Sequence, residues 1–161
     1  MKKLPFYLKI ASFCLLIFIW DYIFINYRNL PLSVPIHFDW NGKPNFFAPR
    51  MMIWLLAGAA TFIYLLIFYL TKNINSPLLK MPQNIKVNTM KAERIVSAFH
   101  LIIMILLTVI TYESIAVGLG KTEVLSPVSS YLIVLLFLGV IMMGIYSYII
   151  SKKDHSQNLS N

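Results

Sequence analysis

Charged residues are scarce in this chain. Only 12 % of its 161 residues are Asp, Glu, Lys or Arg, against about 25 % in an ordinary soluble domain. Hydrophobic residues make up 58 % of the sequence, and they stand in long blocks instead of alternating with polar ones. This composition excludes a soluble globular fold and indicates an integral membrane protein.

Cysteine and catalytic motifs are also missing. Cys14 is the only cysteine, which excludes an intrachain disulfide and a cysteine-based zinc cluster. The sequence contains no phosphate-binding glycine loop, no nucleophile elbow, no His-Glu-x-x-His helix and no dinucleotide fingerprint. We therefore expect a protein that is not an enzyme and carries no resident cofactor, with a divalent metal as the one alternative.

Four apolar runs are long enough to cross a bilayer. They cover about residues 5–26, 51–70, 95–118 and 131–150, and about 20 residues of helix span a hydrocarbon core of roughly 30 Å. The runs predict an all-α integral membrane protein with four transmembrane helices in an antiparallel bundle. Residues 1–151 form one membrane domain in this interpretation, and residues 152–161 form a polar cytoplasmic tail.

The basic residues divide unequally between the two sides of the predicted bundle. Ten lie at the chain ends or between the second and third runs, and four lie in the two remaining connections. The positive-inside rule then places both termini in the cytoplasm of a multi-pass cell-membrane protein. It makes residues 27–50 an extracytoplasmic loop and the basic connection 72–94 a candidate surface for a cytoplasmic protein. Because the positive-inside rule accounts for the placement of the basic residues, no nucleic-acid partner is expected.

The outer loop, residues 27–50, has the composition of a stiff structure. Prolines at 31, 35, 44 and 49 fix backbone angles and favour extended neighbours. The dipeptide Asn41-Gly42 is a strong tight-turn signal. Aromatic residues Phe38, Trp40, Phe46 and Phe47 surround that turn. We expect a compact, proline-stiffened extended segment with a turn at the mouth of the bundle.

The spacing of this loop resembles a known family. The pattern is Leu30-Pro31, Val34-Pro35, His37-Phe38-Asp39, Gly42 and Pro44. It is similar to domain of unknown function 1648, which also forms the N-terminal part of immunity proteins against the sporulation-delaying peptide toxin of bacilli. The chain has Asn45 where the family usually has an acid, and Pro49-Arg50 where it usually has a small residue and lysine. The resemblance implies protection against, or sensing of, a membrane-active peptide.

Five residues of the loop are candidates for binding such a partner: His37, Phe38, Asp39, Trp40 and Gly42. A second interpretation combines His37 and Asp39, which share a face of an extended strand, with two carboxylates near the outer ends of the first and third runs. Asp21, His37, Asp39 and Glu113 would then bind a divalent metal in a small membrane enzyme or transport accessory. In the structural alternative, His37 and Asp39 only hydrogen-bond within the loop.

Polar residues in the third run form one helical stripe. They are Ser97, His100, Thr108 and Thr111, with Met104 between them. The stripe predicts either a polar path or contacts that hold helices together, with hydroxyls bonded to carbonyls one turn back. Asn88 or Thr89 is the predicted N-cap of this helix. A third possibility for the whole chain is a structural subunit of a membrane complex.

Overall fold

The structure is a computed structural model that describes residues 3–79 and 89–158, with side chains described except at 143, 144 and 146–158. Four α-helices account for most of it: α1 Leu4–Asn26, α2 Trp54–Lys72, α3 Thr89–Gly118 and α4 Pro127–Asn158. Short 3₁₀ turns, Tyr27–Asn29 and Arg50–Ile53, end α1 and precede α2. The predicted N-cap Asn88 lies outside the described residues.

Helix α3 is the centre of the bundle and packs against all three other helices. Its buried partners on α1 are Leu16, Ile19 and Ile23, which recur every three or four residues. On α2, Ala57 and Ala60 are fully buried, so small side chains allow the close approach typical of membrane helices. Gly139 of α4 packs on the Phe99 ring.

The outward faces of the helices are apolar. Phe24 is 73 % exposed on α1, Phe62 is 68 % exposed on α2 and Phe137 is 64 % exposed on α4. Soluble proteins rarely expose a continuous apolar surface of this size to water. In the described part of the chain, three helical segments are long and apolar enough to cross a membrane: Leu4–Asn29, Arg50–Lys72 and Thr89–Gly118. A shorter apolar stretch covers Pro127–Met142. The prediction of a mainly helical membrane protein is confirmed.

Two strands lie between α1 and α2. Strand β1, Ser33–Phe38, pairs antiparallel with β2, Pro44–Pro49. These strands form the motif hairpin, Ser33–Pro49, at the end of the bundle where α3 ends and α4 begins. The all-α expectation therefore needs correction in this segment, where the predicted extended chain and turn fold into a two-stranded sheet.

The helix bounds differ modestly from the apolar runs. Helix α3 begins at Thr89, six residues before the apolar run at 95 and at the position of the predicted N-cap, because its polar first turns continue the helix outside the apolar window. Helix α4 begins at Pro127 and continues to Asn158. Position 151, predicted to separate membrane domain from tail, therefore lies within a continuous helix.

Candidate functional site: the motif hairpin

Asp39 fixes the turn of the motif hairpin. Its backbone N–H donates to Lys43 O at 2.9 Å, and Gly42 N–H donates back to Asp39 O at 3.0 Å. The Asp39 carboxylate also accepts the N–H groups of Asn41 and Lys43 at 2.8 and 2.9 Å. Gly42 has a φ of 75°, a conformation that glycine adopts without strain. The Asp39 side chain is thus engaged by the backbone of its own turn.

The tip of the hairpin is tied to the connection between α3 and α4. Leu125 N–H donates to Gly42 O at 2.8 Å. A Cβ atom at Gly42 would lie only 2.8 Å from Leu125 O, so the close approach also requires glycine. The next residue, Ser126, donates a hydrogen bond to the Glu113 carboxylate of α3. The tip is therefore connected to α3 through two consecutive residues.

The base of the hairpin rests on the helix ends. Arg50 N–H donates to Leu32 O at 2.9 Å, and its guanidinium lies 5.2 Å from the centre of the Tyr27 ring, within cation–π range. Leu30 and Val34 are buried beside Gly118 at the end of α3. Tip and base are both fixed, so the hairpin has a defined position on the bundle.

His37 is exposed and bonds across the hairpin. Its Nδ1 lies 2.6 Å from Oδ1 of Asn45. An amide oxygen only accepts hydrogen bonds, so Nδ1 is the donor in this pair. Asn45 is one of the positions that depart from the family pattern, and this contact gives it a partner inside the motif. His37 and Asp39 both make bonds within the hairpin, which is the arrangement of the structural alternative.

The aromatic residues of the hairpin are presented to the surroundings. Trp40 beside the turn is 100 % exposed, and Phe46 and Phe47 on β2 are 59 % and 55 % exposed. Phe38, at the end of β1, is partly buried. A rigid backbone therefore carries three exposed aromatic rings. Large aromatic side chains on a fixed support are typical anchors of protein interfaces.

The structure does not assemble the four predicted metal ligands. Asp21 is exposed on α1, whereas Glu113 is buried and bonded to Ser126. Within residues 3–79 and 89–158, no three His, Cys, Asp or Glu side chains are close enough to hold one metal ion. The second carboxylate oxygen of Glu113 is buried, and no group of the described residues donates a hydrogen bond to it. The Glu113 carboxylate of α3 instead contacts Ser126 at the start of α4, where the helix dipole favours a negative charge.

The polar stripe of α3 faces the other helices. Thr108 and Thr111 donate to the carbonyls of Met104 and Leu107, one turn back, and Ser97, His100 and Met104 are fully buried. His100 lies against the Tyr64 ring of α2, with ring centres 4.9 Å apart. The threonine bonds match the interpretation of the stripe as helix contacts.

The opposite end of the bundle has its own contacts. Lys9 of α1 and Glu93 of α3 form an ion pair at 2.6 Å. A cavity of about 590 Å³ lies nearby, lined by residues of the α2 end and the α3 start, including Lys72, Asn75, Ser76 and Thr89. No sequence pattern predicts the ion pair, because its partners are 84 positions apart. Ser126 did carry a signal, since Ser before Pro127 is a typical helix start.

Comparison with known proteins confirms the resemblance. Residues 13–61 match the family model of Domain of unknown function (DUF1648). The match covers under a third of the chain and contains most of α1, the whole motif hairpin and the first part of α2. No curated protein and no solved structure gave a significant match.

Proposed function

We propose that the chain is a non-enzymatic, four-span protein of the bacterial cell membrane that recognises a membrane-active peptide through the motif hairpin. Recognition would protect the cell or signal the presence of the peptide. The observation that carries this proposal is the motif hairpin itself, which is fixed at its tip and base and presents Trp40 fully exposed.

The distribution of basic residues supports the orientation. The ten-to-four excess favours an orientation with the hairpin outside the cell and both chain ends inside. Helix α4 would return the chain as the fourth span, since its apolar part begins at Pro127 on the hairpin side. A peptide that attacks the membrane from outside arrives at this face first.

Three exposed rings provide the apolar contacts that a peptide ligand requires. Trp40, Phe46 and Phe47 lie on a backbone that is held by the Asp39 turn and by Leu125. Binding to such a preorganised surface costs less conformational entropy than binding to a flexible loop. Gly42 permits the backbone conformation of the turn, and His37 and Asp39 stabilise the hairpin through hydrogen bonds.

A signal would pass from the motif hairpin along α3. The path runs from Gly42 through Leu125 and Ser126 to Glu113, and α3 then extends 20 residues to Glu93 and its ion pair with Lys9. At that end lies the basic connection 72–94, our candidate surface for a cytoplasmic protein. Residues 80–88 of this connection lie outside the described residues.

The test is a survival experiment. Cells with and without the gene are exposed to a panel of membrane-active peptides, and survival is counted. We expect at least one peptide to kill the deletion strain at a concentration that the complemented strain survives. Equal survival against every peptide would refute the protective function and leave the structural-subunit hypothesis to be tested.

A further inference from the structure

Strand β2 of the motif hairpin has an open edge. Strand β1 packs against α3, whereas β2 packs mainly on β1. The sheet has two strands within the described part of the chain, so the side of β2 away from β1 has no strand partner there. Asn45, Phe46 and Phe47 on this strand are all exposed. An edge of this kind is a template for a further strand.

The register shows where this edge offers backbone groups. Arg50 N–H donates to Leu32 O, and bonded and non-bonded pairs alternate along an antiparallel ladder. Ser33 with Pro49 and Pro35 with Phe47 are then non-bonded pairs, and both lie on the base side of the register shifts that follow Pro35 and His37. Pro35 and Pro49, which lack an N–H group, occupy these non-bonded positions. The backbone N–H and C=O of Phe47 therefore point away from β1.

Charge at the ends of β2 disfavours pairing between two copies of this chain. Lys43 precedes the strand and Arg50 follows it. Antiparallel pairing of two β2 edges would bring Lys43 of one copy near Arg50 of the other, and like charges repel. A partner strand with uncharged or acidic ends meets no such repulsion.

We propose that the open edge of β2 binds an extended apolar peptide segment, with uncharged or acidic ends, as a third strand centred on Phe47. The backbone of Phe47 supplies the hydrogen bonds, and the rings of Phe46 and Phe47 supply apolar contact. Strand addition is a common mode of peptide recognition. The inference rests on the proposed function and names the conformation and charge of the partner.

The test uses the full chain in lipid nanodiscs and a defined probe. The probe is a fluorescent nonapeptide of alternating valine and threonine with an aspartate at each end. One control probe carries N-methyl groups on both its valines and its threonines, which removes the N–H donors of both strand edges, and a second has lysine ends. We expect the first probe to bind at least about tenfold more tightly than the methylated one, since methylation removes the strand bonds. It should also bind more tightly than the lysine probe at low salt.

Two variants separate backbone from side chain. Phe47→Ala removes the ring and keeps the N–H group, whereas Phe47→Pro removes both. Binding should be weakened by Phe47→Ala and lost in Phe47→Pro, with unchanged circular dichroism in both. Equal affinities of the methylated and unmethylated probes would overturn the inference, and so would equal binding by the two variants. Equal binding to empty nanodiscs would overturn it by showing that the probe partitions into lipid. So would the absence of binding.

The survival experiment distinguishes this failure from failure of the proposed function. If the wild-type chain protects cells and both Phe47 variants protect them as well as the wild type does, the function stands and strand addition is wrong. If the probe binds at the β2 edge and no peptide distinguishes the strains, the edge site stands and the protective function is wrong.

Discussion

Gly42 meets two independent requirements at once. Its φ of 75° is unfavourable for residues with a Cβ atom, and a Cβ atom would collide with Leu125 O at 2.8 Å. We expect Gly42→Val to lower the stability of the purified protein by more than about 2 kcal/mol, because β-branched residues are strained in this region. Thermal unfolding in detergent measures the effect.

Lys43→Ala is the matched control for this substitution. Lys43 is exposed in the same turn, so its truncation should change stability by less than about 0.5 kcal/mol. If the two variants unfold at the same temperature, the hairpin tip is not a fixed structure, and the preorganised surface on which recognition depends is lost with it.

His37 has a hydrogen-bonding role in this account. The His37–Asn45 hydrogen bond is 2.6 Å long. An amide side chain at position 37 can still donate to Asn45, whereas an aliphatic side chain cannot. His37→Asn should therefore be milder than His37→Leu, with a loss of about 1 kcal/mol or less in the latter because the bond is exposed. Thermal unfolding of the two variants provides the comparison.

Metal content provides a separate test of His37. If His37 and Asp39 were ligands together with Asp21 or Glu113, purified wild-type protein would carry near-stoichiometric metal that His37→Ala removes. We expect elemental analysis to find no stoichiometric metal in either protein. Stoichiometric zinc in the wild type alone would restore the metal-site interpretation.

At the level of elements, the contact of Glu113 with Ser126 joins α3 to the start of α4. One carboxylate oxygen has this bond, and the part of the chain that the structure describes offers no donor to the other. Ser126→Ala would leave a buried carboxylate without its hydroxyl donor, which costs about 1–3 kcal/mol. Glu113→Gln keeps an acceptor for Ser126 but loses the charge that the α4 dipole favours, so this variant should lose less stability than Ser126→Ala. Unfolding of Ser126→Ala at the wild-type temperature would show that the contact does not support the fold.

The elements themselves were largely predictable because bilayer thickness sets the length of apolar runs. Some bounds were less so, since 3₁₀ turns such as Arg50–Ile53 leave no mark in hydropathy, whereas the N-cap signal at Asn88 or Thr89 did indicate the start of α3. The Asp39 turn was expected because its bonds are local. The contacts of Gly42 with Leu125 and of Lys9 with Glu93 join distant positions, and no single-sequence pattern encodes them.

At the level of the whole molecule, every functional argument depends on orientation. We expect a cysteine at Asn41 to be labelled by a membrane-impermeant reagent in intact cells, and one at Asn75 only after permeabilisation. The reason is the ten-to-four distribution of basic residues. Both positions are exposed, so access depends on side alone. Cys14 is replaced by serine in the background. Labelling of Asn75 in intact cells would reverse the orientation.

The central claim is that the motif hairpin recognises a peptide, and Trp40 tests it most directly. Trp40 is fully exposed and makes no packing contribution to the bundle, so Trp40→Ala should leave insertion and thermal stability unchanged. Phe62→Ala is the control, since Phe62 is an exposed ring on α2. In the survival assay, we predict that Trp40→Ala behaves like the deletion strain and Phe62→Ala like wild type. Full protection by Trp40→Ala, at normal protein levels, would contradict the account.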